Sequence, residues 1–338
     1  MAKVLVTGAS GFIGTHLVAA LMARGDDVVC LVRKTSKVEP LLALGARLVY
    51  GDVTDPESLP AAVAGQQVVY HLAGRTLALK DRQFYEVNRR GVAHVAKACA
   101  GQTTPPVMIY ISSLAAAGPA VDGRPRVESD PPAPVSHYGR SKRSGEHAAE
   151  SYAHRVPITV IRPPIVLGEG DRLGLPLFRS AIRFGVHLAP GLKPQRFSLI
   201  HADDLVSLII LAAERGKRLP PLGQRGESAA QGYYFAACEQ DPTYGDLGRL
   251  VAESVGRRVL VIPTAMPVVR TVAAVGEAIS RVRHHPLVMN FDKAREIAAG
   301  SWLCSAQAAR NDLDFEVGAP LLERLRQTAE WYRQEGWI

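Results

Sequence analysis

Glycines at positions 8, 11 and 14 fall between a short apolar run, Val4-Leu5-Val6, and a helix-like stretch that continues to Arg24. A strand that turns sharply into a helix needs residues without a Cβ where the backbone folds tightly or is closely approached. The helix N-terminus then offers unpaired N–H groups and the positive end of its dipole to an anion such as a dinucleotide pyrophosphate. A glycine-rich turn alone is a weak signal, and its place after a strand and before a helix gives it weight. It gains more from Tyr138-Gly-Arg-Ser-Lys142 downstream, with the serine pair Ser112-Ser113 before it.

The first half of the chain repeats this rhythm. Strands read at Lys3–Val6, Val28–Val32, Arg47–Tyr50, Gln67–His71, Val107–Ser112 and Ile158–Arg162. Helices read at Gly11–Arg24, Lys37–Leu44, Pro56–Ala64, Gln83–Ala100 and His137–His154. Most of the strands are continuous apolar runs, as expected when helices cover both faces of a sheet. The expected fold class is α/β, a doubly wound parallel sheet of the Rossmann kind. After Arg162 the pattern loosens into Gly/Pro-rich loops, with further strands at Arg196–Ile200, Tyr233–Ala236 and Val259–Ile262. Residues 1–163 read as the dinucleotide-binding core, with 196–231 returning to it. Residues 164–338 read mainly as a smaller, interleaved C-terminal substrate lobe.

A chain of 338 residues that is 47% hydrophobic can bury a large core. No 18-residue apolar stretch is free of charge, so no transmembrane helix is expected. The most apolar segment, Val259 to Ile279, is interrupted by Pro263, Pro267, Arg270 and Glu277. Val4 already belongs to the first strand, which leaves no room for a signal peptide. Cys30, Cys99, Cys238 and Cys304 are far apart and lack CxxC spacing. A reduced, cytoplasmic protein without a structural metal is the expectation. The net charge of +8 comes from dispersed basic residues. It suits anionic small molecules, or peripheral contact with an acidic membrane surface, better than nucleic acid.

Tyr138 and Lys142 are four apart on a predicted helix and share one face. A phenol with a pKa near 10 is a poor base at neutral pH, and a nearby ammonium is expected to lower that value. Such a tyrosine can exchange a proton with an alcohol or carbonyl while hydride moves to or from a nicotinamide. Val107-Met-Ile-Tyr-Ile-Ser-Ser113 reads as a buried strand whose serines emerge at its C-terminal end, where open α/β sheets bind ligands. Ser113 is the candidate to hold the reacting oxygen, and Ser112 the candidate to cap the following turn.

These segments resemble the extended short-chain dehydrogenases/reductases, the NAD-dependent epimerase/dehydratase family. The matching pieces are TGASGFIG at Thr7–Gly14, GDVTD at Gly51–Asp55, HLAG at His71–Gly74 and VNRRG at Val87–Gly91. They continue with ISSLAAAG at Ile111–Gly118, YGRSK at Tyr138–Lys142, RPPIVLGEGD at Arg162–Asp171 and HADDL at His201–Leu205. The resemblance implies a catalytic set of Ser113, Tyr138 and Lys142. It implies that Gly8, Ser10, Gly11, Phe12, Ile13 and Gly14 hold the pyrophosphate turn. Asp52 and Val53 would contact the adenine, and Leu72, Ala73 and Gly74 would pass under the adenosine ribose. Ser112, Tyr138, Lys142, Pro163 and Ile165 would complete the nicotinamide end, with Asn88, His137 and His201 as support. Many members also form a twofold dimer through the two long helices, here offering Val92, Val95 and Ala96 with Ala148 and Ala149.

The second strand ends in Arg33-Lys34, where an NAD-preferring fold usually places an acidic residue. Two cations there suit a 2′-phosphate, so NADP is favoured over NAD. Nucleotide-sugar members carry an asparagine where this chain has Ile165, and often Arg-Asp where it has Phe197-Ser198; Arg196 could substitute from one position away. ISSLAAAGP and the apolar Pro263–Ile279 segment look more like the 3β-hydroxysteroid dehydrogenase and dihydroflavonol reductase branch. The implied activity is interconversion of a secondary alcohol and a ketone on a hydrophobic, sterol-, terpenoid- or flavonoid-like substrate. A nucleotide-sugar epimerase or dehydratase, or a non-catalytic NADP-binding sensor, are the alternatives.

Overall fold

The computed structural model describes residues 1–223 and 230–338. Its central sheet has seven parallel strands: β1 (Lys3–Thr7), β2 (Asp27–Val32), β3 (Arg47–Tyr50), β4 (Val68–His71), β5 (Val107–Ile111), β6 (Ile158–Arg162) and Tyr233–Phe235. Three further strands come between the last two in sequence: β7 (Ile165–Leu167), β8 (Val186–Pro190) and β9 (Leu199–His201). Tyr233–Phe235 is therefore β10, and β11 spans Leu260–Thr264. The sheet order is β10-β6-β5-β4-β1-β2-β3. Because the order reverses between β1 and β4, a crevice opens at their C-terminal ends.

The helices are α1 (Phe12–Ala23), α2 (Glu39–Ala43), α3 (Pro60–Val63), α4 (Asp81–Tyr85), α5 (Val92–Ala100), α6 (Leu114–Ala117) and α7 (His137–Glu150). They continue as α8 (Leu175–Phe184), α9 (Ala202–Arg215), α10 (Tyr244–Ser254), α11 (Met266–Arg283), α12 (Phe291–Ala298), α13 (Gln307–Leu313) and α14 (Leu321–Gln334). Alternation along each strand feeds two cores. Val4 and Val6 point to one face, with Leu17, Leu21, Leu208 and Leu313 of α1, α9 and α13. Leu5 points to the other, with Val63, Val95 and Ala149 of α3, α5 and α7. A third core joins α8, α10 and α14 through Phe178, Val251 and Tyr332. No helix among the described residues is long and apolar enough to cross a membrane.

Several expectations change. Tyr233–Phe235 is not a strand of the C-terminal lobe but pairs in parallel with β6, in the register Tyr233↔Val160 to Phe235↔Arg162. Part of the 196–231 return, residues 224–229, lies outside the described residues. The helix expected at Gln83–Ala100 is broken by a π-turn over Glu86–Gly91, which carries Asn88. Such insertions widen a helix locally and are common at functional sites. Val92, Val95, Ala96 and Ala149 are fully buried in the second core, so the faces offered for twofold pairing are interior. Their apolar spacing reports packing on the sheet rather than an outward seam.

Candidate active site

A cleft of about 1810 Å³ runs over the C-terminal ends of the strands and into the C-terminal lobe. Single small-molecule pockets are typically about 300–1,000 Å³, so this one has room for a dinucleotide and a second ligand. Gly8, Ser10, Gly11, Phe12, Ile13 and Gly14 line one end. Gly8 has φ +73°, and a Cβ there would lie 2.6 Å from the Ala73 nitrogen. A Cβ on Gly14 would lie 2.2 Å from the Gly8 oxygen, so α1 packs directly under the turn. Gly11 caps α1 without a side chain, and the first turn holds no acidic residue. Those N–H groups and the helix dipole suit an anion, and the residues present fit a dinucleotide pyrophosphate.

Ser113, Tyr138 and Lys142 all line the cleft. Ser113 ends the β5 segment in extended conformation and caps α6, accepting from Ala115 N at 3.1 Å. Its hydroxyl also hydrogen-bonds the Tyr138 phenol. Ser112, the residue expected to cap that turn, instead donates to Glu146 Oε1 at 2.6 Å. The two serines point to opposite sides of the strand, and only Ser113 faces Tyr138.

Lys142 is buried, and its Nζ donates to Ile111 O at 2.7 Å and sits 4.6 Å over the Tyr110 ring. Burial pulls its pKa down to about 7, opposed by the carboxylate of Glu146. Burial likewise pushes Tyr138 up to about 12, opposed by the Ser113 hydrogen bond and reinforced by Glu296. This corrects the expectation that Lys142 lowers the phenol: desolvation dominates, and the ammonium is engaged by a backbone carbonyl. The arrangement holds a protonated phenol beside a hydroxyl donor, which can hydrogen-bond and protonate an oxygen placed between them.

Below the site lies a buried ion cluster. Glu146 accepts from Arg162 Nε and Nη2, each at 2.8 Å, and from Arg143 Nη1 at 2.9 Å. Burial raises the Glu146 carboxyl, but the two arginines outweigh it and hold the group below its ordinary value. Arg162 stacks on Tyr233, 4.3 Å from the ring centroid. Asn88 bonds Arg75 O and Ser141 Oγ, both at 2.9 Å, which makes it a support. His201 caps α9, and His137 lies 3.2 Å from Asp81.

Leu72, Gly74, Ser112, Pro163 and Ile165 also line the cleft. Ala73 does not, since its backbone packs on Gly8. Asp52 turns its carboxylate onto Thr54 N and Oγ1, both at 2.8 Å, and Val53 is buried against Gly91. Neither lines the cleft. Arg33 and Lys34 are exposed at the end of β2, while Lys37, not anticipated, lines the cleft beside them. Arg196 bonds Asp241 O at 3.0 Å and is not among the residues lining the cleft.

The sequence reading missed a clasp from α12. Asp292 accepts from the backbone N–H of His137 at 2.7 Å and of Tyr138 at 3.0 Å. Ser136 accepts from Gly139 N and donates to Glu296 Oε1 at 2.8 Å. The helix bearing Tyr138 is thus pinned at its N-terminus by the C-terminal lobe. No local pattern could have revealed this, because Asp292 lies 154 residues from Tyr138.

The sequence profile of the NAD-dependent epimerase/dehydratase family matches residues 4–223. The chain belongs to that family. Like other members it is an NAD(P)-dependent enzyme of the extended short-chain dehydrogenase/reductase group. It is 30% identical to a ceramide reductase of Caulobacter vibrioides, over 99% of this chain and 96% of that one. It is 31% identical to the mouse 3β-hydroxysteroid dehydrogenase type 7, over 54% of this chain and 55% of that one. The UDP-glucose 4-epimerase of Thermus thermophilus in complex with NAD shares the fold with a TM-score of 0.73, at 22% identity and 98% coverage of both. The family binds a nicotinamide dinucleotide, and its chemistry is that of an oxidoreductase.

Proposed function

We propose that the protein is an NADP(H)-dependent reductase of a lipophilic ketone, reversible toward the secondary alcohol. The observation that carries this reading is that Ser113, Tyr138 and Lys142 line one cleft together with the apolar side chains Ile165, Phe197, Leu247 and Trp302, although charged side chains such as Arg172, Arg281 and Arg295 share that lining. A buried sugar diphosphate needs charged partners for its oxygens, whereas apolar surface gains roughly 25 cal/mol per Å² buried. Similarity to the ceramide reductase along nearly the whole chain supports a long-chain, ceramide-type lipid ketone within that class.

The bound nicotinamide supplies the hydride. Ser113 and Tyr138 hold the carbonyl oxygen, and Tyr138 passes its proton to that oxygen as negative charge develops there. Lys142, with a pKa near neutrality, then returns a proton to the phenolate. Gly8 and Gly14 admit the pyrophosphate to the α1 N-terminus, and Arg33, Lys34 and Lys37 favour a 2′-phosphate at the other end.

NADPH consumption with ceramide-type, sterol and flavonoid ketones tests the assignment. Turnover of a lipid ketone is expected, with Tyr138→Phe slower by about a hundredfold or more and still able to bind NADPH. Micromolar binding of a UDP-sugar, with none of the ketones reduced, would overturn it.

A further inference from the structure

The surface around the mouth of the cleft is apolar on the outside. On α11, Val269, Ala273, Gly276 and Ser280 are buried. That face packs on the segment leading to α12: a Cβ on Gly276 would meet Met289 O at 2.1 Å, and Ser280 Oγ accepts from Leu287 N at 3.0 Å. A second stripe, Val268, Val272, Val275, Ile279 and Val282, recurs at alternating spacings of four and three and is 38–80% exposed. The helix therefore has two apolar faces and only one of them is covered among the described residues. A soluble surface rarely leaves such a stripe uncovered without use.

The strands beside it continue the patch. β8 and β11 pair in parallel, with Leu188 opposite Ile262. Leu188 and Leu260 are 61% and 66% exposed, and Phe184 just before β8 is 70% exposed. Leu188, Pro190, Thr264 and Val272 also line the cleft, so this surface is its rim.

The same segment is strongly cationic. Residues 257–283 carry Arg257, Arg258, Arg270, Arg281 and Arg283 against one carboxylate, Glu277. All five arginines are exposed. A second copy placed on this face through a twofold axis would bring arginines against arginines. An anionic bilayer offers both halves of the match, acyl chains for the apolar stripe and negative headgroups for the arginines.

We propose that the β8–β11 strands and α11 dock on an anionic lipid surface and open the cleft toward it, so that a lipid substrate enters from the bilayer. The route of entry rests on the lipophilic-substrate reading, but the docking itself does not. The test is flotation of the full chain with vesicles of phosphatidylcholine alone, or with about a third phosphatidylglycerol. Binding is expected only to the anionic vesicles, and it should weaken sharply with salt. Val275→Asp/Val282→Asp and Arg258→Glu/Arg283→Glu should each cut binding about tenfold or more. None of these four residues lines the cleft, so thermal melting and turnover of a short, water-soluble ketone should stay at wild-type levels. A chain that fails to float with anionic vesicles overturns the docking. So does a dimer in light scattering that Val275→Asp/Val282→Asp dissolves, which would assign the stripe to a second copy. Flotation is read without cofactor or turnover, so it can fail while the reductase reading stands.

Discussion

Glu146→Gln is the sharpest test of how the buried cluster supports the site. Glu146 is fully buried and accepts from Ser112, from two nitrogens of Arg162, and from Arg143. A glutamine has the same shape, but its amide nitrogen is only a donor. At least one of these donors must then face another donor. Arg162 is 2% exposed, and its charge would lose its one bidentate partner. Breaking a buried pair from one side costs about 3–5 kcal/mol. At roughly 2–4 °C per kcal/mol for large domains, melting should fall by at least about 6 °C. Glu146→Leu/Arg162→Met should be less destabilised than Glu146→Gln, because no buried charge is stranded, and Arg143 keeps Glu150 at 2.7 Å. Glu146 also raises the Lys142 pKa. Its loss should therefore move the alkaline limit for a protonated Lys142 to lower pH. A Glu146→Gln melting point within 1 °C of wild type, or a double variant worse than the single by scanning calorimetry, would refute the argument.

Other outcomes can be checked separately. Arg33→Asp should weaken NADPH binding about ten- to a hundredfold by fluorescence titration while sparing NADH, since one charge-assisted contact is worth roughly 1.5–3 kcal/mol. Asp292→Ala leaves two N–H groups of the α7 N-terminus without their acceptor. It should cost about 1–2 kcal/mol in urea unfolding and lower kcat more than it weakens NADPH binding. Lys142 has an ordinary pKa of 10.5 and is held at about 7 in the fold, so the unfolded chain binds more protons between those values. Its contribution to stability therefore rises with pH across that window and carries its full penalty below it. The stability gained by Lys142→Met should accordingly be larger at pH 7 than at pH 9.5.

The first six strands were legible because most are apolar runs bounded by turns, and the first five are each followed by a helix, a local order that is the fold itself. Tyr233–Phe235 was legible as a strand but not as a member of the main sheet. A buried run of three reads the same in either lobe, and its partner β6 lies some 70 residues earlier by sequence. The π-turn at Glu86–Gly91 was invisible for a related reason: one extra residue in a turn leaves the helical spacing of apolar positions nearly intact. Val92, Val95 and Ala149 show the reverse error. Apolar spacing says that a face is covered, and here the sheet covers it.

Within the site, residue type and spacing located Ser113, Tyr138 and Lys142, because a helix places i and i+4 on one face whatever surrounds it. What spacing could not supply was the electrostatics. The expected lowering of the Tyr138 pKa assumed a free ammonium in a polar setting. In the fold Lys142 is turned onto Ile111 O, and the phenol is partly buried at the wall of the cleft. Desolvation depends on everything that packs over a group, and the charge of Glu296, from the far end of the chain, raises the Tyr138 pKa further. The same distance hides Asp292, whose carboxylate accepts from two further N–H groups of an α7 N-terminus that Ser136 already caps locally. The N-terminus of α7 is therefore completed by the C-terminal lobe. A displacement of α12 by a bound substrate would be felt directly at the backbone of Tyr138, whereas among the described residues the glycine-rich turn at the other end of the cleft has no such link to α12.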